Sequence, residues 1–138
     1  MAGPGNEGGC QCGAVRYRIT APVVRANLCH CRMCQRAHGA PVVCWVTVPA
    51  GGLMQLGRAP AFHRSSEKAE RGFCPACGTP MFWISSGPQR PGESPMIDVA
   101  AGTLDDPTGV RPSEHVWCES AMPWLEIEDG LPHHQQHP

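Results

Sequence analysis

What this chain lacks first is any surplus of charge. Eleven lysines and arginines stand against twelve aspartates and glutamates in 138 residues, a formal net charge of −1. A protein that grips nucleic acid regardless of sequence needs a basic stripe to displace counterions, and none is present. Nucleic acid is therefore not an expected partner, and attraction to an anionic membrane surface is excluded on the same ground. Long apolar runs are missing too: no stretch approaches the roughly 20 residues that cross a bilayer. The opening MAGPGNEGG has neither the basic start nor the apolar centre of a secretory signal. The expected setting is the cytoplasm, where clustered cysteines mean metal rather than disulfides. Internal repeats are also absent, apart from the cysteine knuckles themselves.

What is abundant is punctuation. Sixteen glycines and fifteen prolines oppose long helices and favour short strands joined by turns. The length fits a single domain with a real core. Residues 1–8 read as a flexible lead-in, 9–129 as the domain, and 130–138 (LPHHQQHP at its end) as a flexible tail. From Ala14 to Thr20 apolar and polar residues alternate: Val15, Tyr17 and Ile19 share one face, Arg16 and Arg18 the other. That pattern predicts a half-buried strand. A returning strand is expected over Val23–Leu28, and one or two helical turns over Arg32–His38, stopped by Gly39 and Pro41. Val42–Val48 is β-branched enough for a central strand. Leu53–Leu56, Ala61–Arg64, Pro80–Ile84, Met96–Ala100 and His115–Cys118 read as further short strands. Gly51-Gly52, Gly57, Ser85–Pro88 and Asp105–Pro107 mark the turns between them. The expected fold class is mainly β, with short coiled antiparallel sheets and little helix. Trp45, Trp83, Trp117 and Trp124 are expected in the core.

Seven of the nine cysteines fall into three clusters: Cys10 and Cys12; Cys29, Cys31 and Cys34; Cys74 and Cys77. Cys10 and Cys12 sit two apart, so an extended backbone turns both sulfurs to one side. The Cys74–Cys77 pair, followed by Gly78, has the spacing of a zinc knuckle. Joined, these four make a closed tetrahedral site stapling the start of the domain to its middle. The remaining three thiolates supply three vertices from one loop. His38, Cys44, Cys118 and His115 are each available for the fourth, which otherwise stays open. His30, lying between two ligands, is expected to point away. An open zinc site among thiolates suits an incoming thiol, because zinc deprotonates a coordinating sulfhydryl outright.

The segments GGCQCGAVRY, NLCHCRMCQRAHGAP, SSEKAERGFCPACGTPMF, GTLDDP and HVWCESAMPW, in this order, resemble the glutathione-dependent formaldehyde-activating enzyme family, which includes centromere protein V-like proteins. The resemblance covers roughly Gly8 to Trp124. It implies an Mss4-like fold pinned by two zinc ions, one structural on Cys10, Cys12, Cys74 and Cys77 and one catalytic on Cys29, Cys31 and Cys34. It also implies a carbon–sulfur lyase that joins glutathione to formaldehyde or a similar small aldehyde, forming S-hydroxymethylglutathione. Arg32 and Arg36, four apart on the expected helix, are candidate binders of glutathione. His30 or His38 is a candidate proton donor to the nascent alkoxide. Two other readings compete with this one. A methionine-sulfoxide reductase of the B type would need a nucleophilic cysteine in an Arg-x-Cys-x-Asn setting, whereas Cys118 stands in Trp-Cys-Glu-Ser. A non-catalytic, zinc-stabilised protein-binding module is the alternative outside enzymes.

Overall fold

The alternating segment folds as β2 (Arg16–Ile19), between β1 (Glu7–Gly9) and β5 (Leu53–Gln55), in a three-stranded antiparallel sheet. The computed structural model describes residues 4–87, 91–92 and 94–138. Val15, Tyr17 and Ile19 are at most 1% exposed, so the apolar face of the alternation is the core face. Arg16 and Arg18 project to the other side and pair with Asp105 and Glu7. Tyr17 carries its hydroxyl into the interior and satisfies it on the Thr103 hydroxyl at 2.7 Å, as a buried polar group must.

The second sheet has seven strands in the order β10-β3-β4-β9-β8-β7-β6. They are β3 (Arg25–Cys29), β4 (Val43–Pro49), β6 (Ala61–Ser66), β7 (Ala69–Phe73), β8 (Pro80–Ser85), β9 (Met96–Ala100) and β10 (His115–Val116). One α-helix, α1 (Arg32–His38), follows β3, and Gly39 ends it in the left-handed region at φ 58°, where a residue without Cβ is favoured. The sheets are antiparallel, as expected, except at one edge: β10 runs parallel to β3, with His115 opposite Leu28 and Val116 opposite Cys29. A long excursion separates the two strands in the chain, so no hairpin constrains their direction.

Register divides this sheet into two working faces. Ala26, Val46, Val99 and Phe82 lie in one cross-strand row, and their side chains join Tyr17, Ile19 and Met81 in the larger core beneath the small sheet. The adjacent row, Arg25, Thr47, Asp98, Trp83 and Arg71, alternates to the opposite face. That face carries the smaller apolar cluster of Cys29, Cys34, Val43, Trp45, Ala100 and Val116, with Trp83 and Trp117 packed against it.

Both ends of the chain make backbone hydrogen bonds to the sheets where the structure describes them. Gly5 N–H donates to the Ile19 carbonyl and Ile19 N–H to that of Asn6, each at 2.8 Å, so the lead-in pairs with β2 from Gly5 onward. Residues 1–3 lie outside the described residues, as does Pro88 of the expected turn. In the tail, the carbonyls of Pro132, His134 and Gln136 accept from His115, Cys118 and Trp117. Those bonds satisfy the outer edge of β10, which would otherwise be an unpaired strand edge. No helix among the described residues is long and apolar enough to cross a membrane.

Candidate metal centres

The first cluster is built from two loops. Cys10 leaves β1 into a turn in which its sulfur accepts the Val15 N–H at 3.2 Å. Cys74 leaves β7 into the Cys74–Cys77 knuckle, where its sulfur accepts from the N–H groups of Ala76 and Cys77, both at 3.4 Å. Gly78, at φ 83°, closes the turn by donating to the Cys74 carbonyl at 2.8 Å. Such N–H···S bonds hold a sulfur as an acceptor, the state a metal ligand needs. Cys10 and Cys12 sulfurs stand 3.5 Å apart, Cys12 and Cys74 3.8 Å, and all four lie within 4.8 Å of one another. A tetrahedron with Zn–S bonds of about 2.3 Å has edges of about 3.8 Å. The donor set and its spacing therefore fit an enclosed zinc ion. Cys77 is held low, to about 5, by the Thr79 hydroxyl and then the Thr79 N–H.

In the second cluster, one sulfur comes from the end of β3, one from the N-cap of α1 and one from its first turn. Cys31 is the helix N-cap, its sulfur accepting the Cys34 N–H at 3.3 Å. The cap thereby turns Cys31 towards Cys34, while the strand end supplies Cys29. The three sulfurs lie within 4.8 Å of one another, and no other His, Cys, Asp or Glu joins them among the described residues. Cys34 is held far below the usual thiol range by hydrogen bonds from Cys29 and Cys31 and by Arg71, whose Nη2 lies 3.5 Å from its sulfur. Cys29 is pushed up correspondingly as proton donor to Cys31 and Cys34. Three soft donors, one already favoured as thiolate, fit a zinc ion with room for one further ligand.

None of the other residues offered for a fourth place joins the three sulfurs. Cys44 stands opposite Leu28, one register position away from the face that bears Cys29, and packs against the larger core. Burial alone pushes its thiol up to about 11. His115 is fully buried and binds His30 and Asp129 instead. Cys118 N–H bonds the His134 carbonyl in the tail. His38 packs edge-on against Trp45, with ring centres 5.2 Å apart. His30 points away from the sulfurs, as its position predicts, and its Nε2 lies 2.8 Å from His115 Nδ1.

Arg32 and Arg36 do share one side of α1. They flank a groove of about 310 Å³ with Met122 and Trp124. Trp124 is 70% exposed there, which corrects its expected place in the core. A second groove, of about 400 Å³, opens along another flank of the helix between His38, His63, Arg71 and Phe73. No local motif marks Arg71 in the sequence. Its standing as the arginine on Cys34 follows from the register of β7 with β8, Arg71 opposite Trp83.

Gln35 was also missed, and it holds the loop. Buried at 3% exposure, its Nε2 reaches the carbonyls of His30, Pro41 and Ser120 at 2.8, 3.2 and 3.1 Å. Two N–H bonds shared among three carbonyls tie both ends of α1 to the turn over Cys118–Ser120. We expect Gln35→Ala to cost about 2–3 kcal/mol, the penalty for buried acceptors left without a donor. A urea unfolding midpoint equal to that of the parent protein would contradict this.

Comparison with known proteins agrees with the geometry. The family model for the glutathione-dependent formaldehyde-activating enzyme matches residues 6–120. A protein of Halomonas elongata, provisionally described as a glutathione-dependent formaldehyde-activating enzyme, is 31% identical over 135 residues, covering 88% of this chain and 80% of its own. A crystal structure of a Rhodobacter sphaeroides protein superposes with a TM-score of 0.55 at 22% identity, over 92% of this chain and 98% of that one. This last likeness establishes the fold.

Proposed function

The chain belongs to the glutathione-dependent formaldehyde-activating enzyme family, and on that premise we propose that it adds the thiol of glutathione to formaldehyde, forming S-hydroxymethylglutathione. The lyase assignment describes the reverse cleavage of the carbon–sulfur bond. Cys10, Cys12, Cys74 and Cys77 would hold a structural zinc ion, and Cys29, Cys31 and Cys34 a catalytic one. Held by Cys29, Cys31 and Cys34, such an ion would act as a Lewis acid that keeps an incoming thiol deprotonated at neutral pH. The observation that carries this reading is the convergence of three sulfurs with Arg71 and no fourth side-chain ligand among the described residues.

Arg71 has a further part to play. Its Nη2 is taken by Cys34, while its Nη1 is buried without a partner among the described residues. A buried donor left unmatched is costly, about 1–3 kcal/mol, unless something else occupies it. Sulfur addition to the aldehyde carbon pushes the carbonyl electrons onto oxygen, and an anionic oxygen is the partner a guanidinium takes best. His38 lines the same groove as Arg71 and would pass the thiol's proton to that oxygen, which balances the reaction. Arg32 and Arg36, which line a groove with Trp124, would bind the carboxylates of glutathione.

With cobalt in place of zinc, millimolar glutathione alone is expected to alter the thiolate-to-cobalt charge-transfer bands. Arg71→Ala is expected to lower kcat by about 10- to 100-fold, the worth of one hydrogen bond to a charged group, with the glutathione half-saturation in the cobalt titration unchanged. Spectra indifferent to glutathione would overturn the reading and favour a binding module.

A further inference from the structure

We propose that His115, Asp129 and His133 form a third metal site, for a divalent first-row transition ion such as zinc, assembled when the C-terminal segment folds back along β10. One ligand atom from each of the three lies within 4.8 Å of the others. Two imidazoles and a carboxylate are a donor set that holds such ions, and one harder than either cysteine cluster. The site lies outside the thiol chemistry proposed above and does not depend on it.

Each ligand is presented by a specific local bond. His115 is fully buried in β10 and directs Nε2 at Asp129 Oδ2, 2.8 Å away. The other carboxylate oxygen of Asp129 accepts the Leu131 N–H at 3.0 Å, which fixes how Oδ2 faces the histidine. His133 reaches the place through the tail: His115 N–H donates to the Pro132 carbonyl and His134 N–H to the His115 carbonyl. These bonds set the His133 ring edge-on to His115, with ring centres 4.2 Å apart. His134 turns to the other side and pairs with Glu114 at 3.0 Å, so only His133 of the two is offered.

The outer partner is supplied too. A metal-bound histidine characteristically donates its second ring N–H to a fixed acceptor. With Nε2 on a metal, His115 must carry its proton on Nδ1, and His30 Nε2 stands 2.8 Å from that atom. His30 in turn lies between Cys29 and Cys31, so metal in the third site braces the loop that presents two of the three sulfurs.

Packing alone could also set a histidine edge-on to a hydrogen-bonded His–Asp pair, and metal counting separates the two. The full-length protein is dialysed to equilibrium against micromolar zinc, alongside His133→Ala and Asp129→Asn. Both substituted positions are exposed, so the fold should tolerate each change. The parent is expected to hold one more equivalent than either variant, whatever the occupancy of the cysteine clusters. Refilled with cobalt, that equivalent should show d–d absorption without thiolate charge transfer. Equal stoichiometry in all three proteins would overturn the proposal, as would charge-transfer bands belonging to the equivalent that distinguishes them.

Discussion

Cys74→Ser is expected to leave no soluble, folded protein. Cys74 is completely buried, and its sulfur is the hub of the knuckle, accepting two backbone N–H groups while standing 3.8 Å from Cys12. Read as an ordinary core thiol, it would be replaced by a hydroxyl of similar size at about 1–3 kcal/mol, the cost of an imperfectly satisfied buried polar group. A domain stable by about 5–15 kcal/mol survives such a loss. Read as a zinc ligand, the substitution puts at risk an apparent binding energy of about 10–16 kcal/mol in small modules, which is comparable to the entire stability. The bond network lost is also long-range, since this cluster joins the turn after β1 to the knuckle that follows β7. Cys44→Ser provides the control: a half-buried thiol on a strand, outside both cysteine clusters, should show only the smaller penalty. Soluble yield, far-ultraviolet circular dichroism and zinc content of the two variants decide the matter. A Cys74→Ser protein that folds and melts like Cys44→Ser would reduce the first cluster to four packed thiols.

The same contrast explains which parts of this molecule can be read from its sequence. Local patterns were legible wherever a residue's role depends on its near neighbours. Val15, Tyr17 and Ile19 face the core because a strand alternates. α1 occupies Arg32–His38 because Gly39 can take the left-handed cap. Spacing brings the sulfurs within each cluster together, and the fold brings Cys10 and Cys12 to Cys74 and Cys77. By contrast, β7 has the sequence AERGF, whose charges and glycine carry little strand preference. It is a strand because β6 and β8 offer it partners on both sides. The tail read as loose for a similar reason: its hydrogen bonds go to β10, far away in the chain. Arg71 on Cys34, Asp129 on His115 and Gln35 on Ser120 all join residues whose proximity only the tertiary fold creates. Composition holds no signal for such pairs. Function concentrates in them because a site must combine groups that one short segment cannot supply.

Cys31→Ser should do the opposite of Cys74→Ser: keep the fold and lose the chemistry. Cys31 is the N-cap of α1, and its sulfur accepts the Cys34 N–H. Serine is among the preferred residues at that position, so the substitution keeps or improves the cap. Cys31 is also only half-buried, and the side chains around it form the smaller of the two apolar clusters. The melting temperature is therefore expected to stay within a few degrees of the parent value. What goes is one soft ligand of three, and with it the metal content of the second cluster. A free thiol with a pKa near 8.5 is only a few per cent ionised at pH 7, so loss of metal-assisted deprotonation costs about 30-fold. Loss of fixed positioning for the sulfur adds at least about another tenfold. Together these predict a fall of about 10²- to 10³-fold in the formation of S-hydroxymethylglutathione above the uncatalysed rate, with about one zinc equivalent missing. Two results would sink this. If Cys31→Ser unfolds as Cys74→Ser does, the second cluster is structural as well. If it folds, loses metal and still turns over at the parent rate, the cysteine tripod has no part in the reaction, and the groove beside Arg71 and His38 must carry it unaided.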